Sequence, residues 1–469
     1  MKYVSTRGTA PALGFEDVLL TGLARDGGLY LPEYWPLFNQ SDIAAMAGQT
    51  YQQVALTVMR PFLGGEISDD DLFAMITDAY RGFAHRSIAP LVQIGPSDWI
   101  LELFHGPTLA FKDIAMQVLA RLMDRALARR SRAATVIGAT SGDTGGAAIE
   151  AFRGRRSIDI FILYPHGRVS DVQRRQMTTP VEPNVNAIAI DGTFDDCQNL
   201  VKAMFNDLEL RDRLQLAGVN SINWARIMAQ IVYYFSSGVA LGAPDRPVSF
   251  TVPTGNFGDI FAGFAAMSMG LPVERLVMAT NVNDILVRTL ATGRYAPQGV
   301  TATLSPSMDI EISSNFERLL YELGERDAER VLDKMESLKA QKSFALGPDE
   351  HAYFRQIFQA ARTTEDETLA EIRRLEADTG YLADPHTAVG LAAAAKVERD
   401  PKVPMVTLAT AHPAKFPDAV AKAVGKAPPE LESVARQRLR PERVTPLPND
   451  IAIVSAFISQ RARAAGRHS

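Results

Sequence analysis

Residues 133–154 read AATVIGATSGDTGGAAIEAFRG: a short apolar run, a glycine-rich turn, then an alanine-rich segment closed by Gly154. The opening run is β-branched and lacks polar alternation, as in a strand buried on both faces. A helix fits the segment after the turn, with Gly154 as its stop. Strand, turn and helix in this order form the repeating half of a βαβ unit.

The same rhythm runs on. DIFILYP (159–165) and NVNAIAIDG (184–192) read as strands, each followed by a helix, VSDVQRRQM and FDDCQNLVKAMFNDLEL. A long helix, NWARIMAQIVYYFSSGVAL (223–241), leads to the strand PVSFTVP, the turn TGNFGD, the helix IFAGFAAMSMG and the strand RLVMATN. The pattern returns near the end with the helix DPHTAVGLAAAAKVERD (384–400) and the strand KVPMVTLAT (402–410). These alternations predict an α/β protein with two parallel-sheet domains. The first hundred residues mix short helices with Gly/Pro turns and form an N-terminal subdomain, and the charged stretch from about 326 to 377 reads as a helical insertion. The expected boundaries are 1–95 for the N-terminal subdomain, 115–215 for a smaller α/β domain, and 96–114 with 216–469 for a larger one.

Composition narrows the function. The chain has 469 residues, a formal charge of −5, 46% hydrophobic and 22% charged residues, as in ordinary globular proteins. Neither nucleic acid nor membrane is an expected partner, because no dominant basic face or membrane-length apolar run is present. Arginines cluster in RALARRSRA (125–133) and QRARAAGRHS (460–469), and both read as solvated, disposable charge. The single cysteine, Cys197, follows two aspartates that oppose thiolate formation, and it reads as structural. With polar KYVSTRGTAP after Met1, no secretory leader is expected, and the location implied is cytoplasmic.

Chemistry enters with HGPTLAFKD (105–113), where Lys112 follows an apolar Leu-Ala-Phe. Desolvation lowers a lysine pKa and makes a nucleophile of it. Taken alone, the stretch is better read as a lysine at a turn before the helix DIAMQVLARLMDRALARR. Two further turns bear on the choice, Gly138–Gly146 (GATSGDTGG) and Thr254–Asp259 (TGNFGD). Each joins a buried strand to a helix start, where N–H groups and the helix dipole attract anions; the alternative is that their glycines only serve tight turns. Asp143 stands where a P-loop needs lysine, and neither turn has the G-x-G-x-x-G spacing of a dinucleotide site. The seven histidines show no close metal-ligand spacing, and no G-x-S-x-G elbow is present, so neither a metal site nor a serine hydrolase is expected. A lysine nucleophile beside an anion cradle suggests pyridoxal 5′-phosphate.

HGPTLAFKD, GATSGDTGGAA, NSINWARI, VPTGNFGDIFAG, ATNVND, DPHTAVG and LATAHPAKF occur in the order found in threonine synthases, which the chain resembles over nearly its whole length. The opening YVSTRG and FEDVLLTGLARDGGLYLP resemble that family's N-terminal region. The resemblance implies a fold-type II pyridoxal-phosphate enzyme, tryptophan synthase β-like, that converts O-phospho-L-homoserine and water into L-threonine and phosphate. It also implies that Lys112 carries the cofactor, that Gly255, Asn256, Phe257 and Gly258 hold the cofactor phosphate, and that Thr410 bonds the pyridine nitrogen. Ser141, Gly142, Asp143 and Thr144 match a loop facing the substrate carboxylate.

For the substrate phosphate the candidates are Ser221, Asn223 and Arg226, the last two sharing a helical face at i, i+3. An ordinary bridging arginine is the competing reading of Arg226, and plain β-propensity that of Thr410. His105 fits a phosphate contact or a hydrogen-bonded structural histidine equally well, and Asp113 reads as a helix cap. The competing functions are a fold-type II dehydratase or phospho-lyase, and a non-catalytic binding protein. The sequence leaves open whether the chain is a monomer or a homodimer.

Overall fold

The computed structural model describes residues 1–466. Ala134–Ala139, the strand that opens the deciding stretch, lies within a five-stranded, wholly parallel sheet. Its order is Thr445–Pro448, Val185–Asp191, Ile158–Pro165, Ala134–Ala139, Leu216–Ala217. Every residue of Ile158–Pro165 is buried, as expected of a strand covered by helices on both faces.

The larger sheet has six strands in the order Phe358–Arg362, Val273–Thr280, Val248–Pro253, Met405–Ala409, Asp98–Glu102, Leu91–Gln93. Only Leu91–Gln93 runs antiparallel to its neighbour. Ligands of open parallel sheets gather at the carboxyl ends of strands. Four ends matter here: Ala139, Pro253, Ala409 and Glu102 each lead into one of the motifs singled out above.

At the N-terminus, Tyr3–Ser5 pairs antiparallel with Tyr30–Pro32. Helices Phe15–Thr21, Tyr51–Met59 and Asp69–Tyr80 pack with this ribbon on the long helices Lys112–Arg129 and Trp224–Ala240. The buried Trp224 ring is the hub, with the Tyr3, Trp35 and Phe62 ring centroids 5.9, 6.0 and 5.5 Å away.

Three expectations need correction. The stretch 326–377, expected as a helical insertion, is mostly helical but also supplies a strand. It contains helices Ala328–Gln341 and Pro348–Ile357, but Phe358–Arg362 then forms the edge of the large sheet, parallel to Val273–Thr280. Five residues between charged helices carry too little periodicity to reveal that strand.

Nor does the larger domain run unbroken from 216 to 469. Leu216–Ala217 and Thr445–Pro448 both belong to the smaller sheet, and helix Ile451–Arg461 buries Val454 and Ile458 among Ile188, Ile190 and Cys197. Pro446 and Pro448 sit where a strand tolerates proline, at the sheet's edge.

The arginine clusters are not disposable. Arg125, Arg129 and Arg130 converge on Glu16, and Arg130 also reaches Asp17, which clamps the N-terminal subdomain to the Lys112 helix. In the tail, Arg463 pairs with Asp159 at 2.8 Å; His468 lies outside the described residues. Cys197 is buried, and burial with the neighbouring Asp196 pushes its thiol up to about 11, in keeping with a structural role. Among the described residues no helix is long and apolar enough to cross a membrane, and no His/Cys/Asp/Glu group could hold a metal.

Candidate active site

A cavity of about 950 Å³ opens between the two sheets, at their strand ends and beneath the N-terminal subdomain. Lys112 enters it from a turn laced to the last strand of the large sheet. The Leu103 N–H donates to the Ala409 carbonyl, Phe111 N–H to Thr410, and His412 N–H to Leu109. Asp113 fixes the turn from inside, accepting the Thr108 N–H and hydroxyl at 2.7 and 2.8 Å. It therefore ties a turn and does not act as the expected helix cap, and burial pushes its carboxyl up to about 6. A Cβ on Gly106 would lie 2.4 Å from Asp113, so only glycine fits there.

The Lys112 side chain is 10% exposed, with its Nζ 4.6 Å from the Phe111 ring centroid and 3.5 Å from Asp143 Oδ2. Burial lowers its pKa; Asp143 opposes that shift, while Lys415 and Arg226 add to it. Lys112 is the first residue of helix Lys112–Arg129, which is buried along one side, so the lysine rides on a rigid element.

Asp143 begins helix Asp143–Phe152 at the end of the first glycine turn. Its Oδ1 receives Lys415 Nζ at 2.6 Å and Gln173 Nε2 at 2.9 Å, and its Oδ2 receives Ser307 Oγ at 3.4 Å. Burial alone would raise this carboxyl, yet Lys415 and Lys112 hold it well below the usual carboxylate range. Within the same turn Thr140 Oγ1 accepts the N–H groups of Gly142 and Gly145, both at 2.9 Å. Asp143 and Thr144 line the cavity; Ser141 is exposed and, with Gly142, lies outside the lining.

The second turn faces the cavity along its length. Gly255, Asn256, Phe257 and Gly258 all line the cavity. Two carbonyls are tied back: Gly255 O accepts Ser313 Oγ at 2.6 Å, and Asn256 O accepts the Asn315 N–H and Nδ2 at 3.0 and 3.1 Å. Phe257 adopts φ 64°, and helix Gly258–Ser268 starts without a side-chain cap. Uncapped N–H groups at a helix start are an anion site.

Arg226 is buried in the wall, 4% exposed, and its Nη1 donates to Val219 O at 3.3 Å. Its Nε has no partner, no carboxylate pairs with it among the described residues, and burial pushes it down to about 10. Ser221 lines the cavity beside it. Asn223 does not: it caps helix Trp224–Ala240 by accepting the Ala225 N–H at 3.1 Å and donates to Leu19 O. The i, i+3 face expected for Asn223 and Arg226 fails because Asn223 precedes the first helical turn.

Thr410 lines the cavity at the end of Met405–Ala409, and among the described residues its hydroxyl has no protein partner. His105 is absent from the lining; it bonds Glu102 Oε2 at 2.7 Å and packs against the rings of His85 and Phe104.

Residues 2–80 match the family Threonine synthase N terminus, 90–350 match Pyridoxal-phosphate dependent enzyme, and 387–458 match Threonine synthase, C-terminal. A threonine synthase of Pseudomonas aeruginosa is 52% identical over 98% of both chains. The chain belongs to the threonine synthase family. Among solved structures, the pyridoxal-phosphate-bound threonine synthase of Brucella melitensis superposes with a TM-score of 0.97 at 57% identity, covering 99% of this chain and 100% of that one. The yeast threonine synthase follows at 0.93 and 39%, covering 98% of each.

Membership makes this chain a fold-type II enzyme that depends on pyridoxal phosphate and acts on a small molecule. The cavity suits that cofactor. It offers a desolvated lysine amine, an uncapped helix start for a phosphate, and an unpaired hydroxyl on the opposite strand end.

Two contributors had no role assigned from the sequence, although their motifs marked the family. Lys415 of AHPAKF is buried to 1% and holds both Asp143 and Thr108 O, the latter at 2.8 Å. Its setting, a lysine after Pro-Ala in an otherwise apolar turn, is the same signal that marked Lys112. His386 of DPHTAVG lines the cavity, with Nδ1 2.6 Å from Asp384 and Nε2 accepting the Ser307 N–H at 3.2 Å. That pairing places the proton on Nδ1.

Proposed function

We propose that this cavity converts O-phospho-L-homoserine and water into L-threonine and phosphate. The observation that carries the reading is the buried Arg226 guanidinium, with Nε unpartnered and no carboxylate beside it among the described residues, in the same cavity as the desolvated Lys112 amine. A buried cation without an anion is costly unless a ligand supplies one. A substrate phosphate supplies it, and Ser221 offers a hydroxyl at the same wall.

In this reading Lys112 binds the cofactor covalently, Gly255–Gly258 hold its phosphate, and Thr410 bonds its ring nitrogen. When bound, pyridoxal phosphate supplies an electron sink that stabilises negative charge on the amino-acid carbons attached to it. The protein then has three tasks. Lys112 Nζ removes the Cα proton and a Cβ proton. One proton is returned to Cγ, which becomes the methyl group once phosphate has left, and one to Cα, while the second hydrogen of the added water ends on the released phosphate. Positioned proton transfer contributes about a hundredfold to ten-thousandfold per step. Burial lowers the Lys112 pKa and so favours the proton-accepting amine over the ammonium. Arg226 orients the γ-phosphate and stabilises it as it departs.

Thr144, on the opposite wall, remains available to the substrate carboxylate, with Asp143 serving the lysines instead. Phosphate leaves Cγ, and water adds its hydroxyl at Cβ, so the sum is one phosphate and one threonine per substrate.

The test is a single assay on cofactor-saturated protein supplied with O-phospho-L-homoserine. Equal amounts of phosphate and threonine are expected. Phosphate released with α-ketobutyrate in place of threonine would make the chain an eliminating lyase of the same fold.

A further inference from the structure

The two lysines share one carboxylate, and the sharing is asymmetric. Lys415 Nζ takes Asp143 Oδ1 at 2.6 Å, whereas Lys112 Nζ stands 3.5 Å from Oδ2. Lys415 is the more deeply placed of the two, 1% against 8% exposed, and a second acceptor, Thr108 O at 2.8 Å, fixes it. That carbonyl belongs to the turn that carries Lys112, and it also accepts Gln176 Nε2 at 3.1 Å. Lys415 is therefore tied to both the Lys112 turn and the loop that opposes it.

We propose that Lys415 is a positioning residue for the Lys112 amine: it neutralises Asp143, so the carboxylate can hold its loop against the Lys112 turn without fixing Lys112 as an ammonium. This rests on the reading of Lys112 as the reactive lysine. A lone buried aspartate beside Lys112 would favour the protonated amine, which neither attacks a carbonyl nor accepts a proton. With Lys415 saturating the anion, burial governs Lys112 instead.

The other groups around the amine point the same way or are balanced. From helix Trp224–Ala240, Arg226 repels a charge on Lys112. From helix Gly258–Ser268, Asp259 attracts it, but that carboxylate already accepts the Tyr233 and Tyr234 hydroxyls. Ser307 and Gln173 bond Asp143, and His386 is held by Asp384 and the Ser307 N–H.

The experiment follows covalent labelling of Lys112 in the full-length chain freed of cofactor. Pyridoxal phosphate with borohydride trapping is applied across pH, and the labelled peptide is located by mass spectrometry. Lys415→Met should move the half-maximal labelling pH upward by about one unit, the size expected when a neighbouring charge is exchanged. Lys415→Arg should restore it, and Asp143→Asn should move it downward.

Should Lys415→Met fail to fold, the comparison is between Asp143→Asn and Asp143→Asn/Lys415→Met. There the added Lys415→Met should again raise the midpoint by removing a like charge. An unchanged midpoint on a correctly labelled Lys112 overturns the inference. Label on any lysine other than Lys112 overturns the underlying reading of the site instead.

Discussion

At the residue scale the site turns on single groups. Lys112→Ala should reduce phosphate and threonine formation about ten-thousandfold or more, since it deletes at least two proton transfers. It should also abolish the visible absorbance of protein-bound cofactor, and an unchanged spectrum would contradict the assignment. Arg226→Gln removes a charged donor but keeps much of the shape. A hydrogen bond to a charged group contributes about 1.5–3 kcal/mol, so KM for the phosphorylated substrate should rise about ten- to a hundredfold. Inhibition by inorganic phosphate should weaken in parallel.

Asp259 gives a pH test independent of turnover. Burial pushes its carboxyl up to about 6 from an ordinary 3.8. Below 3.8 both folded and unfolded chains hold the proton; between the two values only the folded chain does, so stability is lost as pH rises through about 6. Asp259→Asn cannot titrate. Its stability relative to the parent should therefore increase by about 2 kcal/mol between roughly pH 4.5 and 7.5, read from urea midpoints of the cofactor-free chain.

At the element scale, short pieces of secondary structure place the chemistry. The edge strand Thr445–Pro448 and helix Ile451–Arg461 close the smaller sheet by burying Val454 and Ile458 against Ile188 and Ile190. Ile458→Ala leaves a cavity in that contact and should cost about 2–5 kcal/mol, measured as a lower urea midpoint. The loss belongs to the smaller sheet, so labelling of Lys112 in the folded variant should match the parent. Helix Pro385–Ala394 works differently: Asp384 caps it through the His386 and Thr387 N–H groups and holds the His386 ring in the cavity wall.

For the whole molecule, buried cations join the parts. Arg318 is fully buried and donates to the carbonyls of Tyr30 and Ile222 and to Asn315, linking the N-terminal ribbon, the entry to the Arg226 helix and the large sheet's flank. Arg318→Met strands three acceptors at once and should lower stability by about 3 kcal/mol or more. Hydrogen exchange should quicken first in residues 220–226, because their anchor is lost. Exchange confined to the N-terminal ribbon would show that the entry to the helix is held by other contacts.

Much was legible beforehand for a physical reason. Periodicity and glycine turns are local properties, and they specify the βαβ rhythm and both turns from neighbouring residues alone, whereas the role proposed for Lys112 needed the family motifs along the rest of the chain. Tertiary structure decided what depends on distant partners. Asp143 became the shared anion of two lysines, one of them 272 positions away as 415 minus 143. Asn223 was drawn to the distant Leu19 carbonyl, and Phe358–Arg362 became a sheet edge only because Val273–Thr280 lay beside it. A side chain's type is written in the sequence, but its charge state and its partner are set by whatever the fold buries against it.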